Sequence, residues 1–215
     1  MIRVVSPLCV IPMKRTFLSG LIFLIVCSSS PADPAAPYEH DCLKSIDQWR
    51  VVTGKWAIQE NALRGEPSQS PKQLLFQEQG FEQPKWYSLR LTAAGLSHAQ
   101  EQEIGIILGY TDPKNYYLCT FTQLSERLAR VSLSRIRDGH DEHTSSVHLD
   151  HPAEDSVSIV LEVYAQGQFR TRVRVGTHDC LTYEDATSPS SSFGFTLHSA
   201  NIVITSCNIS GIAKH

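Results

Sequence analysis

A surplus of positive charge is missing: over 215 residues, 19 lysines and arginines stand against 22 aspartates and glutamates, a formal net charge of −3. Without a basic field to hold a phosphate backbone or an anionic lipid surface, general nucleic-acid binding and polybasic membrane attachment are not expected. The glycine loops that cradle phosphates and the Gly-x-Ser-x-Gly elbow are absent too, which removes nucleotide enzymes and α/β hydrolases. Neither a CxxC pair nor a Cys/His spacing of zinc type occurs. There is no internal repeat, no interdomain linker and no helical periodicity longer than a turn or two. What remains is one ordinary domain, with 41% hydrophobic residues to build its core.

The chain does contain an export pattern. Lys14 and Arg15 precede the apolar run Phe17 to Cys27, and Ser28-Ser29-Ser30-Pro31 follows it. A basic start, a short apolar stretch and a small-residue exit read as a cleaved signal peptide, too short for a stable membrane anchor. Met13 is an alternative start. The expected division is a signal segment and short linker over 1–37 and a single domain over 38–215, giving a secreted, periplasmic or cell-envelope protein with no transmembrane anchor after processing. Cys27, after Leu24-Ile25-Val26, resembles a lipoprotein acylation box with Val26 where a small residue is usual, so lipidation there is an alternative to ordinary cleavage.

Four cysteines remain after that segment, Cys42, Cys119, Cys180 and Cys207. An even number in an oxidising compartment points to one or two disulfides. If the first and last strands lie side by side, Cys42 with Cys207 is the preferred bridge, with Cys119 and Cys180 as a second; isolated buried thiols are the alternative.

From Trp49 onward, short apolar or alternating runs are separated by turn residues. Val157, Ile159, Leu161 and Val163 alternate with more polar positions, and Phe169, Thr171, Val173 and Val175 alternate with Arg170, Arg172 and Arg174. Period two places successive side chains on opposite faces of a strand. Strands are expected over 49–58, 73–77, 86–93, 103–110, 116–122, 128–137, 146–150, 156–164, 169–175, 192–198 and 202–209. Asp138-Gly139, Gln166-Gly167 and Asp112-Pro113-Lys114-Asn115 supply the turns. About eleven strands exceed one flat sheet, so an all-β, two-sheet antiparallel sandwich or jelly roll is predicted.

Trp49-x-Val51-x-x-Gly54-Lys55-Trp56-x-Ile58, Ala62-Leu63-Arg64-Gly65, Gly105 to Tyr110 with Asp112, Asn115, Tyr116 and Tyr117, Ser134 to Gly139, Ser192 to Phe195 and Ile202-Val203-Ile204 together set an order of elements. That order resembles a concanavalin A-like, laminin-G-like jelly roll, and within it the bacterial 3-keto-disaccharide hydrolase domain family. The resemblance spans roughly residues 42 to 210 and is largely architectural. It implies a fold that binds or processes carbohydrate.

Chemistry-bearing residues fall into four groups. Glu101 and Glu103 share a strand parity and are the weak catalytic candidates, because a retaining glycosidase needs two carboxylates about 5 Å apart facing one cleft. His140, His143, His148 and His151, among Asp141, Glu142 and Asp150, are of ligand type for a divalent metal, though their spacing matches no established motif and no cofactor is expected. Arg130, Arg135 and Arg172 can present cations to a carboxylated or sulfated sugar, the alternative being a solvated sheet face. Tyr110 and Tyr116, flanking the turn with Asp112 and Asn115, can offer aromatic faces to a pyranose. The expected function is an exported carbohydrate-binding module without an evident catalytic site. A glycoside hydrolase-like enzyme acting on a (3-keto-)disaccharide and a structural or adhesive module are the alternatives.

Overall fold

The computed structural model describes residues 37–65, 72–76, 86–96, 102–151, 154–165, 168–186, 192–197 and 202–212. The signal segment with Met13 and Cys27, Glu101, and the turn at Gln166-Gly167 lie outside the described residues.

Fifteen strands and one 3-10 turn, Ile46–Gln48, make up the described elements. One sheet holds β2 (Trp49–Thr53), β5 (Lys72–Phe76), β7 (Gln102–Asp112), β8 (Asn115–Gln123), β9 (Leu128–Arg137), β10 (His140–Asp150) and β14 (Phe193–Leu197), in the order β10-β9-β8-β7-β14-β5-β2. The other holds β1 (Pro37–Asp41), β3 (Trp56–Gln59), β4 (Ala62–Gly65), β6 (Trp86–Ala94), β11 (Ser156–Ala165), β12 (Phe169–Val175), β13 (His178–Asp185) and β15 (Val203–Ile212). Its order is β13-β12-β11-β6-β15-β4-β3, and β1 pairs with β15. Every pairing is antiparallel. The fold is an all-β sandwich, as the turn-separated alternation predicts.

The alternation explains the layers. On β12, Phe169, Thr171, Val173 and Val175 are buried while Arg170 and Arg172 are exposed. On β8 and β9, Tyr117, Cys119, Phe121, Ala129, Val131 and Leu133 face the same core. Phe121, Phe169, Phe193 and Phe195 are its largest fully buried side chains, each contributing about 1.5–3 kcal/mol of transfer free energy. Trp49 packs edge-on against Phe193 at 5.8 Å and its indole N–H donates to the Cys42 carbonyl at 2.8 Å, so its one polar group is satisfied.

The expected strand list changes in three ways. The run 49–58 is two strands, broken at Gly54 (φ 77), because β2 joins the seven-stranded sheet and β3 the eight-stranded one. The strand expected over 146–150 starts already at His140: Asp138 (φ 52) and Gly139 (φ 82) close a two-residue turn that pairs His140 directly with Arg137. β1, β4 and β13 are additional strands. Among the described residues no helix is long and apolar enough to cross a membrane.

Candidate functional site

Cross-strand register places the outer side chains of β8, β9 and β10, those turned away from the core, in rows. His148 pairs with Arg130 and Arg130 with Thr122, which in turn faces Glu103 on β7. The next row is Ser146, Ser132, Thr120 and Gly105; the one after it brings Ser134 beside Leu118; the last brings Asp141, Ile136 and Tyr116 together. Arg130, Ser132, Thr120, Leu118 and Tyr116 are half-buried and His148 and Ser146 exposed. The result is a strip of hydroxyls with a cation, an imidazole and a carboxylate along one side and apolar surface along the other. At sheet spacings it measures roughly 10 Å across and about 20 Å along the strands.

On the same side of the sheet, toward β5 and β7, Leu75, Ile107 and Tyr110 form a second, smaller apolar cluster with Val52, Tyr116 and Leu118 packed against it. Tyr110 is therefore not an open platform. It stacks on Tyr116 at 6.1 Å with Arg50 over its ring at 5.6 Å, and burial raises its pKa. Tyr116 keeps partial access at the boundary between this cluster and the hydroxyl strip.

Asp112 and Asn115 hold the hairpin tip in shape. The Asp112 carboxylate accepts from the Lys114 backbone N–H at 2.7 Å and from Asn115 Nδ2 at 2.9 and 3.0 Å, and those bonds, Lys114 first, lower its pKa. Asn115 Oδ1 accepts from the Asp138 backbone N–H at 3.2 Å, and the Gly139 N–H donates to the Lys114 carbonyl at 3.0 Å. Two hairpin tips are thus bound together at the Tyr116 end of the strip.

Arg135 lies elsewhere. It has the parity of Val131 and Leu133 and points between the sheets, over the Tyr117 ring at 6.0 Å. Its Nη1 donates to Asp185 Oδ2 of the opposite sheet at 2.7 Å, with only 20% and 9% of the two side chains exposed. Glu142, Tyr183, Glu184 and Ala186 complete an opening of about 620 Å³ around this pair. Tyr183 has its pKa pushed up to about 12, by burial first and by the Asp185 carboxylate second.

Arg172 is in a third place, the outer face of the eight-stranded sheet, so no single ligand meets both it and Arg130. The arginines of β12 are charge-matched by neighbouring strands: Arg170 with Glu184 at 3.1 Å, Arg174 with Glu162 at 3.2 Å, and Arg172 with Asp179. This is a ladder of exposed ion pairs rather than an open set of cations.

The histidines do not converge. His140 and His151 bracket β10, ~35 Å apart at the strand rise; His148 is on the outer face, and His151 packs edge-on against Phe121 at 5.6 Å. The side chain of His143 lies outside the described residues. Among the described residues, no group of three or more His, Cys, Asp or Glu side chains is placed to hold a metal ion. Glu103 accepts a hydrogen bond from the Thr122 hydroxyl at 3.3 Å, and Glu101 falls outside the described residues.

Cys42 is directly opposite Cys207, its N–H donating to the Cys207 carbonyl at 2.8 Å. Both side chains are fully buried with free thiols in hydrogen-bond contact, and burial raises the Cys207 pKa. Cys119, pushed up to about 12 by burial and then by the neighbouring Cys180, is also a free thiol.

Sequence reasoning missed the hydroxyl row and the Tyr183–Asp185 end of β13. The signal for the first is present in Val131/Leu133 alternating with Ser132/Ser134, and in Cys119/Phe121 alternating with Thr120/Thr122. For the second it is Leu181 and Tyr183 at period two, a short turn beyond β12.

Two antiparallel sheets in this order define a concanavalin A-like β-sandwich. Solved structures of the same fold include a legume lectin-like domain from Entamoeba histolytica, with a TM-score of 0.57 at 12% identity over 78% of this chain and 92% of that one. The carbohydrate recognition domain of Emp47p superposes with a TM-score of 0.55 at 13% identity over 82% and 96% of the two chains. A carbohydrate binding module, CBM66 from Bacillus subtilis, gives 0.50 at 15% identity over 77% and 92%. No protein-family model and no curated protein matches the chain.

Proposed function

We propose that this chain is a carbohydrate-binding module and that the outer strip of β8, β9 and β10 is its binding surface. One observation carries the reading: the register aligns Ser146, Ser132 and Thr120 in a row between the His148–Arg130 pair and the Leu118–Tyr116 surface. A sugar offers what such a surface takes, hydroxyls that both donate and accept along its edge and apolar C–H groups on its faces. The similar folds named for lectin-like and carbohydrate-recognition domains support the ligand class. Affinity electrophoresis through gels containing dextran, mannan, xylan, polygalacturonate or dextran sulfate tests it. Retardation by at least one, reduced about tenfold in affinity by Arg130→Ala, is expected from losing a charge-assisted hydrogen bond. Unretarded migration in every gel contradicts the reading.

We also propose that the protein is exported and that Cys42 and Cys207 form a disulfide there. Lys14, Arg15 and the apolar run to Cys27 support export. The two cysteines are neighbours where β1 runs along β15, and their thiols stand free, so the bridge needs the sulfurs to close on each other. Two thiols then lose two protons and two electrons to a disulfide donor of the oxidising compartment.

A further inference from the structure

Cys180 breaks the alternation of its strand. The pairing of β12 with β13 runs from Val173 with Leu181 to Arg174 with Asp179, which leaves Cys180 as one extra residue without a partner across the ladder. A bulge of this kind re-aims a side chain. Strict alternation would turn Cys180 outward with Thr182, yet it packs, together with Leu181, against the core cluster that contains Cys119 and Tyr183.

Contacts at both ends of β8 place Cys119 opposite it. At one end Tyr117 stacks on Phe169 of β12 at 4.2 Å and meets Tyr183 of β13 edge-on at 5.9 Å. At the other end Phe121 meets His151 at 5.6 Å, and His151 lines one opening with Val175 and His178. Cys119 lies midway between Tyr117 and Phe121 on the core face of β8, and Cys180 lies between His178 and Tyr183 on β13. The two thiols are thus brought to one level from opposite sheets. Cys180 is near enough for its charge to add to burial in raising the Cys119 pKa.

A buried cysteine by itself serves as a small apolar filler, and Cys119 fits that part. Cys180 does not. It is only partly buried, its thiol makes a weak bond to the His178 carbonyl at 3.4 Å, and its bulge interrupts the ladder that an ordinary residue would continue.

We infer that Cys119 and Cys180 form a disulfide that ties the two sheets together, distinct from the Cys42–Cys207 bridge, which joins strands within one sheet. Both stand as free thiols in this structure, so closure draws the sulfurs to about 2.05 Å. With glutathione disulfide as the oxidant, the Cys180 thiolate displaces one glutathione thiolate and the Cys119 thiolate then displaces Cys180-bound glutathione. Two protein thiols lose two protons and two electrons, and one glutathione disulfide becomes two glutathiones. Persistence of the bridge in the cell rests on the export proposed above; its formation in the purified chain does not.

Disulfide mapping of the purified, folded chain tests this. The chain is oxidised with glutathione disulfide at about pH 8.5, where more of each thiol is ionised, then denatured in alkylating agent and cleaved after glutamate. That cleavage separates the four cysteines into fragments 40–60, 104–126, 163–184 and 185–215, so the two bridges are read independently. Fragments 104–126 and 163–184 joined by a disulfide are the expected result. Fragment 104–126 recovered alkylated, or joined to any fragment other than 163–184, overturns the inference. Oxidation should also raise the melting temperature by several degrees more in the unaltered chain than in Cys180→Ser. An equal rise in the two overturns the tie between the sheets.

Discussion

A Cβ on Gly105 would run into Thr196 Cγ2 and lie 2.9 Å from Leu118 Cδ1. Absence of a side chain there lets Thr120 and Thr196 flank a smooth strip, and overpacking such a site costs about 1–3 kcal/mol. Gly105→Ala should therefore lower the melting temperature by several degrees, measured by circular dichroism; an unchanged midpoint would show that the neighbours yield freely. Tyr183 makes a prediction of different kind. Its folded pKa is raised to about 12 from an ordinary 10.0, so as pH climbs through that interval the unfolded chain loses the phenolic proton first. Stability from this group is complete below pH 10 and declines between 10 and about 12. Ultraviolet titration should show late-ionising tyrosine absorbance, part of which Tyr183→Phe removes, and a titration that this substitution leaves unchanged would refute the assignment. At this scale the sequence shows which residues are chemically able, not where they point. Arg130 and Arg135 are five positions apart and odd separation sends them to opposite faces of β9, while Tyr110 is buried by contacts with Arg50 and Tyr116 that no local pattern encodes.

The elements whose pattern was readable are those with one apolar and one polar face. β9, β11 and β12 declare themselves through alternation such as Phe169 to Val175. β10 does not, because an edge strand need bury little: its His, Asp, Glu, Thr and Ser content spells a loop, and only the turn geometry at Asp138-Gly139 commits it to pairing. β1 is equally quiet, five residues that pair along β15 and deliver Cys42 to Cys207. Joining those two closes a loop of about 165 residues, for which a contribution of roughly 2–5 kcal/mol is usual. Peptide mapping of the exported, unreduced protein should recover the Cys42 and Cys207 peptides linked, and reduction should lower the midpoint of unfolding. Recovery of both as free thiols would contradict the bridge. β13 hides for a third reason: its register shifts between Val173 and Arg174, which dilutes the period-two signal over Cys180 to Tyr183.

Across the whole molecule the two outer faces are unlike. The eight-stranded sheet presents its arginines already matched by Glu162, Asp179 and Glu184, an arrangement that solvates an edge and deters edge-to-edge pairing. The seven-stranded sheet presents, along β8 to β10, hydroxyls with the Arg130 guanidinium and the His148 imidazole, bounded by Tyr116 and Leu118. Strand count and turn chemistry predict a sandwich from sequence alone; the assignment of each strand to a sheet, and with it the separation of Arg130 from Arg172, follows from long-range pairing. Isothermal titration of the polysaccharide that retards the protein tests the central claim most directly, comparing the unaltered chain with Ser132→Trp and Arg172→Ala. Binding on the outer strip of β8 to β10 predicts that Ser132→Trp, which fills the hydroxyl row, abolishes the heat while Arg172→Ala leaves affinity within twofold; heat that survives Ser132→Trp and disappears with Arg172→Ala would contradict it.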